Sequence, residues 1–334
     1  MGGNAIKIAE RVPKDKFFEY AKKIIPMVEK AFDTKVSMVN SFKNKTDFGD
    51  LDLLVLENKN ILNRRKVIEQ TFDPQEIKVN SHIISFNHNE LQVDLIFTSK
   101  EDWGTSKIFF EWGDLGNFMG KLINNYGDLA DHGYLLKYGF DGLKCKILEQ
   151  GKTKLVFISK DNKEVFKFLG LDFNKWEEGF NDKLDMFDYV ITSPMFDYPA
   201  FQWENLNSIN KDRNKRRPAY IEFLEYIKDH KKVIPWNNHP KEYLDIIKNF
   251  FSVDLLEERK NFTKDIVIKN IIKDKFNGTI IKELIPYLDG KELGKFIDSY
   301  KKSKENFDQY VYETDRVYVA QNILDFWHTI YTTK

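Results

Sequence analysis

Residues 40–56 read Asn-Ser-Phe-Lys-Asn-Lys-Thr-Asp-Phe-Gly-Asp-Leu-Asp-Leu-Leu-Val-Leu, and Asp50 and Asp52 flank a single leucine. Successive side chains of a strand alternate faces, so these two carboxylates point the same way. The run Leu51, Leu53, Leu54, Val55, Leu56 marks that strand as buried. Two carboxylates on an apolar strand are unfavourable without a cation between them. A divalent pair meets the requirement: carboxylate oxygens suit Mg²⁺, and two ions about 3.5–4 Å apart clamp both ends of an in-line phosphoryl displacement. A third acid, Asp94, sits inside Leu-Gln-Val-Asp-Leu-Ile-Phe, the second arm of a segment that alternates like a hairpin from Glu76 to Phe97. If that hairpin joins the sheet of Asp50 and Asp52, three acids converge on one metal site.

A Ser followed by a short basic loop, Gly-Asp-x-Asp, and a third Asp on a later strand resembles the polymerase-beta-type nucleotidyltransferase superfamily. Ser41, Gly49, Asp50, Asp52 and Asp94 carry the match. In that superfamily a Gly-Ser pair opens a helix that cradles the triphosphate, and three carboxylates bind two metal ions. Here Asn40 replaces the usual Gly, and Asn is among the better-tolerated residues at positive φ. The resemblance implies a (d)NTP donor, two Mg²⁺ (or Mn²⁺) on Asp50, Asp52 and Asp94, and phosphate contacts from Ser41, Lys43 and Gly49. Lys43 and Lys45 lie on the loop where cations would meet phosphate charge.

Positioning these groups requires a small α+β module over roughly residues 1–100. Apolar residues from Phe17 to Phe32 recur at helical spacing, with Pro26 as a candidate kink; Val36–Val39 reads as a strand and residues 60–71 as a helix. Beyond Phe97 the pattern changes. An aromatic-rich turn at Phe109–Gly113 leads into a helix, strands follow around Leu143–Leu148 and Lys154–Ile158, and a helix capped by Ser159 stops at Gly170. This order is similar to the nucleotide-binding thumb of family X DNA polymerases, over residues 101–185. On that resemblance Asp114, Asn117 and Lys121 would face base, sugar edge and template, and Trp112 would shape the nucleotide pocket. Residues 186–334 read as a helical domain without counterpart in that family's minimal core.

Residues 211–217, Lys-Asp-Arg-Asn-Lys-Arg-Arg, carry five positive charges and one negative. They are a solvated helix start or a phosphate-backbone contact through Arg213, Lys215, Arg216 and Arg217. Gly290-Lys291-Glu292-Leu293-Gly294-Lys295 is weakly similar to turns of tRNA nucleotidyltransferases, and is also readable as a glycine-punctuated connection between helices. The histidines show no metal-ligand spacing.

The 334 residues carry 52 basic and 52 acidic side chains, which argues against a non-specific nucleic-acid binder. No apolar run suits a bilayer, the N-terminus lacks a signal-peptide pattern, and Met1-Gly2-Gly3 with Ile6 is no acylation signal. A single Cys145 excludes intrachain disulfides and fits a reducing, cytoplasmic setting. The expectation is a nucleotidyltransferase with a polymerase-beta-like palm, a thumb-like domain and a helical C-terminal domain, acting on a nucleic-acid 3′ end. Untemplated extension of RNA and a non-catalytic module of the same fold are the alternatives; oligomeric state is open.

Overall fold

The structure is a computed structural model and describes residues 5–331, so Met1-Gly2-Gly3 lies outside it. The chain divides into two compact units between Leu255 and Leu256. Both borders expected from sequence, near residues 100 and 185, fall inside the first unit.

The first unit opens with β1 (Val12–Pro13), α1 (Lys14–Phe32), β2 (Val36–Met38), β3 (Asp47–Phe48), β4 (Asp50–Leu56), α2 (Arg64–Phe72), β5 (Ile77–Asn80), β6 (Ile83–His88) and β7 (Leu91–Thr98). A five-stranded sheet runs β2-β4-β7-β6-β5. Only the β4–β7 pair is parallel, so the sheet is mixed. Buried Phe17, Ala21, Ile24, Val28 and Phe32 recur every three or four residues on α1, which makes one apolar stripe. The helix runs on through Pro26. That stripe packs on the odd-numbered residues of β4 and β7 (Leu51, Leu53, Val55, Val93, Leu95, Phe97), with Ile68 of α2 joining them. Each such side chain contributes about 1.5–3 kcal/mol of hydrophobic stabilisation. Period-2 alternation then leaves the even residues, Asp50, Asp52, Gln92 and Asp94, on the other face.

Next come α3 (Trp103–Phe110), α4 (Leu115–Asn124), β8 (Tyr134–Gly139), β9 (Gly142–Glu149), β10 (Lys152–Ser159) and α5 (Asn162–Leu169). The strands form an antiparallel sheet ordered β10-β9-β8. The cap of α5 is Asp161, not Ser159: its carboxylate accepts from the Lys163 and Glu164 N–H groups, while Ser159 Oγ donates to Glu164 Oε2 at 2.6 Å. Gly170 ends the helix in the left-handed region.

The helices α6 (Phe173–Glu178), α7 (Lys183–Ile191), α8 (Tyr198–Phe201), α9 (Ser208–Asn214), α10 (Pro218–Tyr226) and α11 (Pro240–Phe251) complete the unit. They are fastened to α4 by aromatic packing, with Phe118 lying 4.5 Å from Phe223 and 5.9 Å from Phe187 between ring centroids. This core explains why the unit extends far past residue 185.

The second unit holds most of α12 (Leu255–Lys275), with α13 (Gly278–Leu284), α14 (Gly290–Lys302), α15 (Phe307–Glu313) and α16 (Arg316–Tyr331). Its core centres on Phe276, Ile281, Phe296, Tyr300, Val311 and Ile323. Residues 290–295 are the opening turns of α14, not a phosphate-presenting turn between helices. No helix among the described residues is long and apolar enough to cross a membrane.

Candidate metal centre and its cavity

Parallel pairing sets Asp52 directly beside Asp94 and Asp50 beside Gln92. One oxygen from each of Asp50, Asp52 and Asp94 lies within 4.8 Å of the others. Asp50 is buried, and Asp52 and Asp94 are half-buried. Burial, then the charges of Asp50 and Asp94, holds the Asp52 carboxyl well above the usual carboxylate range. Burial likewise pushes Asp94 up to about 6; hydrogen bonds from Ser85 and Gln92 oppose the shift, and Asp50 adds to it. Acids kept from ionising first by burial and then by one another make a site short of positive charge. Carboxylate oxygens so gathered suit one or two hard divalent cations.

Gln92 is the residue the sequence reading passed over. It is 1% exposed, and its Nε2 donates to both oxygens of Asp94 at 3.0 Å. Its Oε1 accepts from the Ala5 and Ile6 N–H groups at 3.0 and 2.9 Å. The amide orientation, and with it the Asp94 carboxylate, is thus locked by backbone from the start of the chain. In sequence Gln92 is only a polar residue at an alternating position.

Asp50 and Asp52 line a cavity of about 1000 Å³, with Asp94 behind them. Asp50, Asp52, Asn40, Ser41 and Lys45 line it on one side, with Asp114, Arg213, Arg216 and Arg217 also on its wall. Lys45 is the cation nearest the acids in effect: burial lowers its pKa, and Asp50 and Asp52 resist that shift. Its ammonium also lies 4.5 Å from the Phe48 ring centroid. Arg217, the residue before Pro218 of α10, forms an ion pair with Asp114. Lys215 does not line the cavity and pairs at 2.7 Å with Asp212, which does.

The loop between β2 and β3 differs from the expectation in two respects. Residues 40–46 form no helix, and their backbone amides are engaged: Lys43 N–H donates to Phe180 O at 3.0 Å and Asn44 N–H to Asn181 O at 2.9 Å. Lys43 is exposed and Gly49 is buried, and neither lines the cavity. Asn40 has no positive φ. Its side chain has another use, donating from Nδ2 to Glu111 Oε1 at 2.8 Å while its carbonyl accepts the Trp112 N–H at 3.1 Å. Glu111 is 1% exposed, and burial pushes it up to about 7 against the opposing pull of Lys107 and Asn40.

Trp112 does not line the cavity; it is buried at a left-handed φ of 61°. A Cβ on Gly179 would come within 2.3 Å of the Trp112 ring, so glycine there is what admits the indole. Asn117 and Lys121 also lie outside the lining, on the face of α4 that starts with Asp114. The structure therefore gathers Asp50, Asp52, Asp94, Ser41, Lys45, Asp114, Arg213, Arg216 and Arg217 about one site, and leaves Lys43, Gly49, Trp112, Asn117, Lys121 and Lys215 outside its lining.

No protein-family model matches the chain, and no curated protein matches it either.

Proposed function

We propose that the chain is a metal-dependent nucleotidyltransferase of polymerase-beta type, transferring a nucleoside monophosphate from a (d)NTP to a nucleic-acid 3′-hydroxyl. The observation that carries this reading is the trio Asp50, Asp52 and Asp94, oxygens within 4.8 Å, at a cavity with cations on its wall. The fit to divalent ions rests on the donor set and on the elevated pKa values of Asp52 and Asp94, which mark missing positive charge. Bound there, Mg²⁺ (or Mn²⁺) neutralises phosphate charge and lowers the pKa of an attacking hydroxyl. Gln92 holds Asp94 in place. Lys45 from the palm side and Arg213 and Arg216 from α9 and the turn after it meet triphosphate charge, so that pyrophosphate leaves in line; the contribution is positioning and charge neutralisation.

Untemplated extension is the second reading, and the acceptor series separates it from templated synthesis; Asp114, which the resemblance sets at the base, is held here by Arg217. The test supplies Mg²⁺ or Mn²⁺ with each labelled NTP and dNTP against primed DNA, single-stranded DNA, tRNA and oligo(A), with Asp52→Ala alongside. Incorporation on a single-stranded end that vanishes in Asp52→Ala supports the proposal. Absence of incorporation on every acceptor sinks it, and template-directed incorporation sinks the untemplated reading.

A further inference from the structure

We propose that Lys121, with Asn117 and Arg213, forms an anion site that takes one phosphodiester of the acceptor strand. The phosphodiester assignment rests on the nucleotidyl-transfer reading; the anion site itself does not. Lys121 is 8% exposed on α4, where a lysine without a counter-charge is strongly disfavoured. No hydrogen bond or ion pair of Lys121 is found among the described residues. Burial lowers its pKa to about 8, and the nearby Arg213 lowers it further rather than relieving it.

One turn earlier on the same helix face, Asn117 Nδ2 is buried and has no hydrogen-bond partner among the described residues. Residues four apart on a helix lie about 5–6 Å from each other at Cβ, so an amide donor and an ammonium donor stand side by side without an acceptor. The acid on this face, Asp114, is two turns from Lys121 and is paired with Arg217. Asp114 is thus the acid that acts on Arg213, and none offsets the effect of Arg213 on Lys121. Three donors of matching chemistry and a surplus of positive charge define a site for a compact oxyanion. Of the three, Arg213 also lines the cavity that holds Asp50 and Asp52, so the site borders that cavity at Arg213.

The experiment measures binding of a single-stranded oligonucleotide to the full chain in EDTA and without nucleotide, so that it is independent of transfer. The last linkages of the oligonucleotide are replaced one at a time by uncharged methylphosphonate. Wild type, Lys121→Met, Lys121→Arg and Arg213→Gln are compared. Expected is about a 10-fold loss for wild type at one linkage, no loss at that linkage for Lys121→Met, near-wild-type behaviour for Lys121→Arg, and a salt slope smaller by about one in Lys121→Met. Lys121→Met should also melt no lower than wild type in EDTA, because it removes a buried unpaired charge. Equal sensitivity of wild type and Lys121→Met at every linkage overturns the proposal, as does a lower melting temperature for Lys121→Met. Loss of inorganic pyrophosphate binding in Lys121→Met, with oligonucleotide binding unchanged, overturns the acceptor assignment. A chain that binds as expected yet transfers no nucleotide refutes the function and leaves the anion site standing.

Discussion

Replacing Asp52 by Asn removes one of three carboxylates whose oxygens lie within 4.8 Å of one another, and its effect on stability should reverse with metal. At that distance and an effective dielectric near 20, each like-charged pair repels by roughly 3.5 kcal/mol. Asp52 takes part in two such pairs, but protonation relieves the repulsion before the full sum is reached. The rise of Asp94 from 3.8 to about 6 corresponds to about 3 kcal/mol and sets the scale. These carboxyls have folded pKa values above their unfolded ones, so the native state holds more protons. Stability from this source is fully present below about pH 4, falls as pH rises through the window, and is lost above the folded values. In EDTA near pH 8, Asp52→Asn should therefore stabilise the protein by about 2–4 kcal/mol, and by under about 1 kcal/mol near pH 4.5. Urea titrations at both pH values read the shift in midpoint. With Mg²⁺ at about 100 times its dissociation constant, wild type gains about 2.7 kcal/mol and the variant gains far less. A variant less stable than wild type in EDTA near pH 8, or one stabilised equally by Mg²⁺, would refute the reasoning.

Glu111→Gln keeps an oxygen for Asn40 and removes a buried charge raised to about 7. The same sign applies, so the variant should melt higher than wild type near pH 8 and alike near pH 5, as followed by circular dichroism. Gly116→Ala would set a Cβ 2.4 Å from the Phe109 carbonyl oxygen; a loss of about 1–3 kcal/mol in urea unfolding is expected. Gln92→Leu would leave Asp94 and the Ala5 and Ile6 N–H groups without their partner, weakening Mn²⁺ binding by about 10–100-fold in a metal titration.

The parts of the site that follow from local pattern were legible in the sequence. The Asp50-Leu51-Asp52 spacing on an apolar strand put Asp50 and Asp52 on one face, and an acid inside an apolar run singled out Asp94. The 3.6-residue stripe from Phe17 to Phe32 marked α1 from end to end, and Gly170 marked the end of α5. What stayed hidden depends on contacts between distant residues. Gln92 earns its role only because the chain start reaches its Oε1. Asp114 looks like an ordinary helix cap until Arg217, 103 residues later, engages it. Trp112 has the type expected of a pocket wall, but Gly179 and Phe180 make room for it inside the core. Asn40, read as a tolerated stand-in for glycine, is instead a side-chain donor to Glu111. The cap of α5, read as Ser159, is Asp161, an equally good acceptor two residues on, and helix-start preference alone does not separate the two.

The most direct test of the metal centre is a Mn²⁺ titration followed by electron paramagnetic resonance, comparing wild type with Asp52→Ala and with a Lys215→Ala control. Saturable Mn²⁺ binding in wild type and Lys215→Ala, strengthened by a non-hydrolysable nucleoside triphosphate and lost in Asp52→Ala, is the predicted result. Binding that is the same in wild type and Asp52→Ala would contradict the assignment of Asp50, Asp52 and Asp94 as a divalent-metal centre.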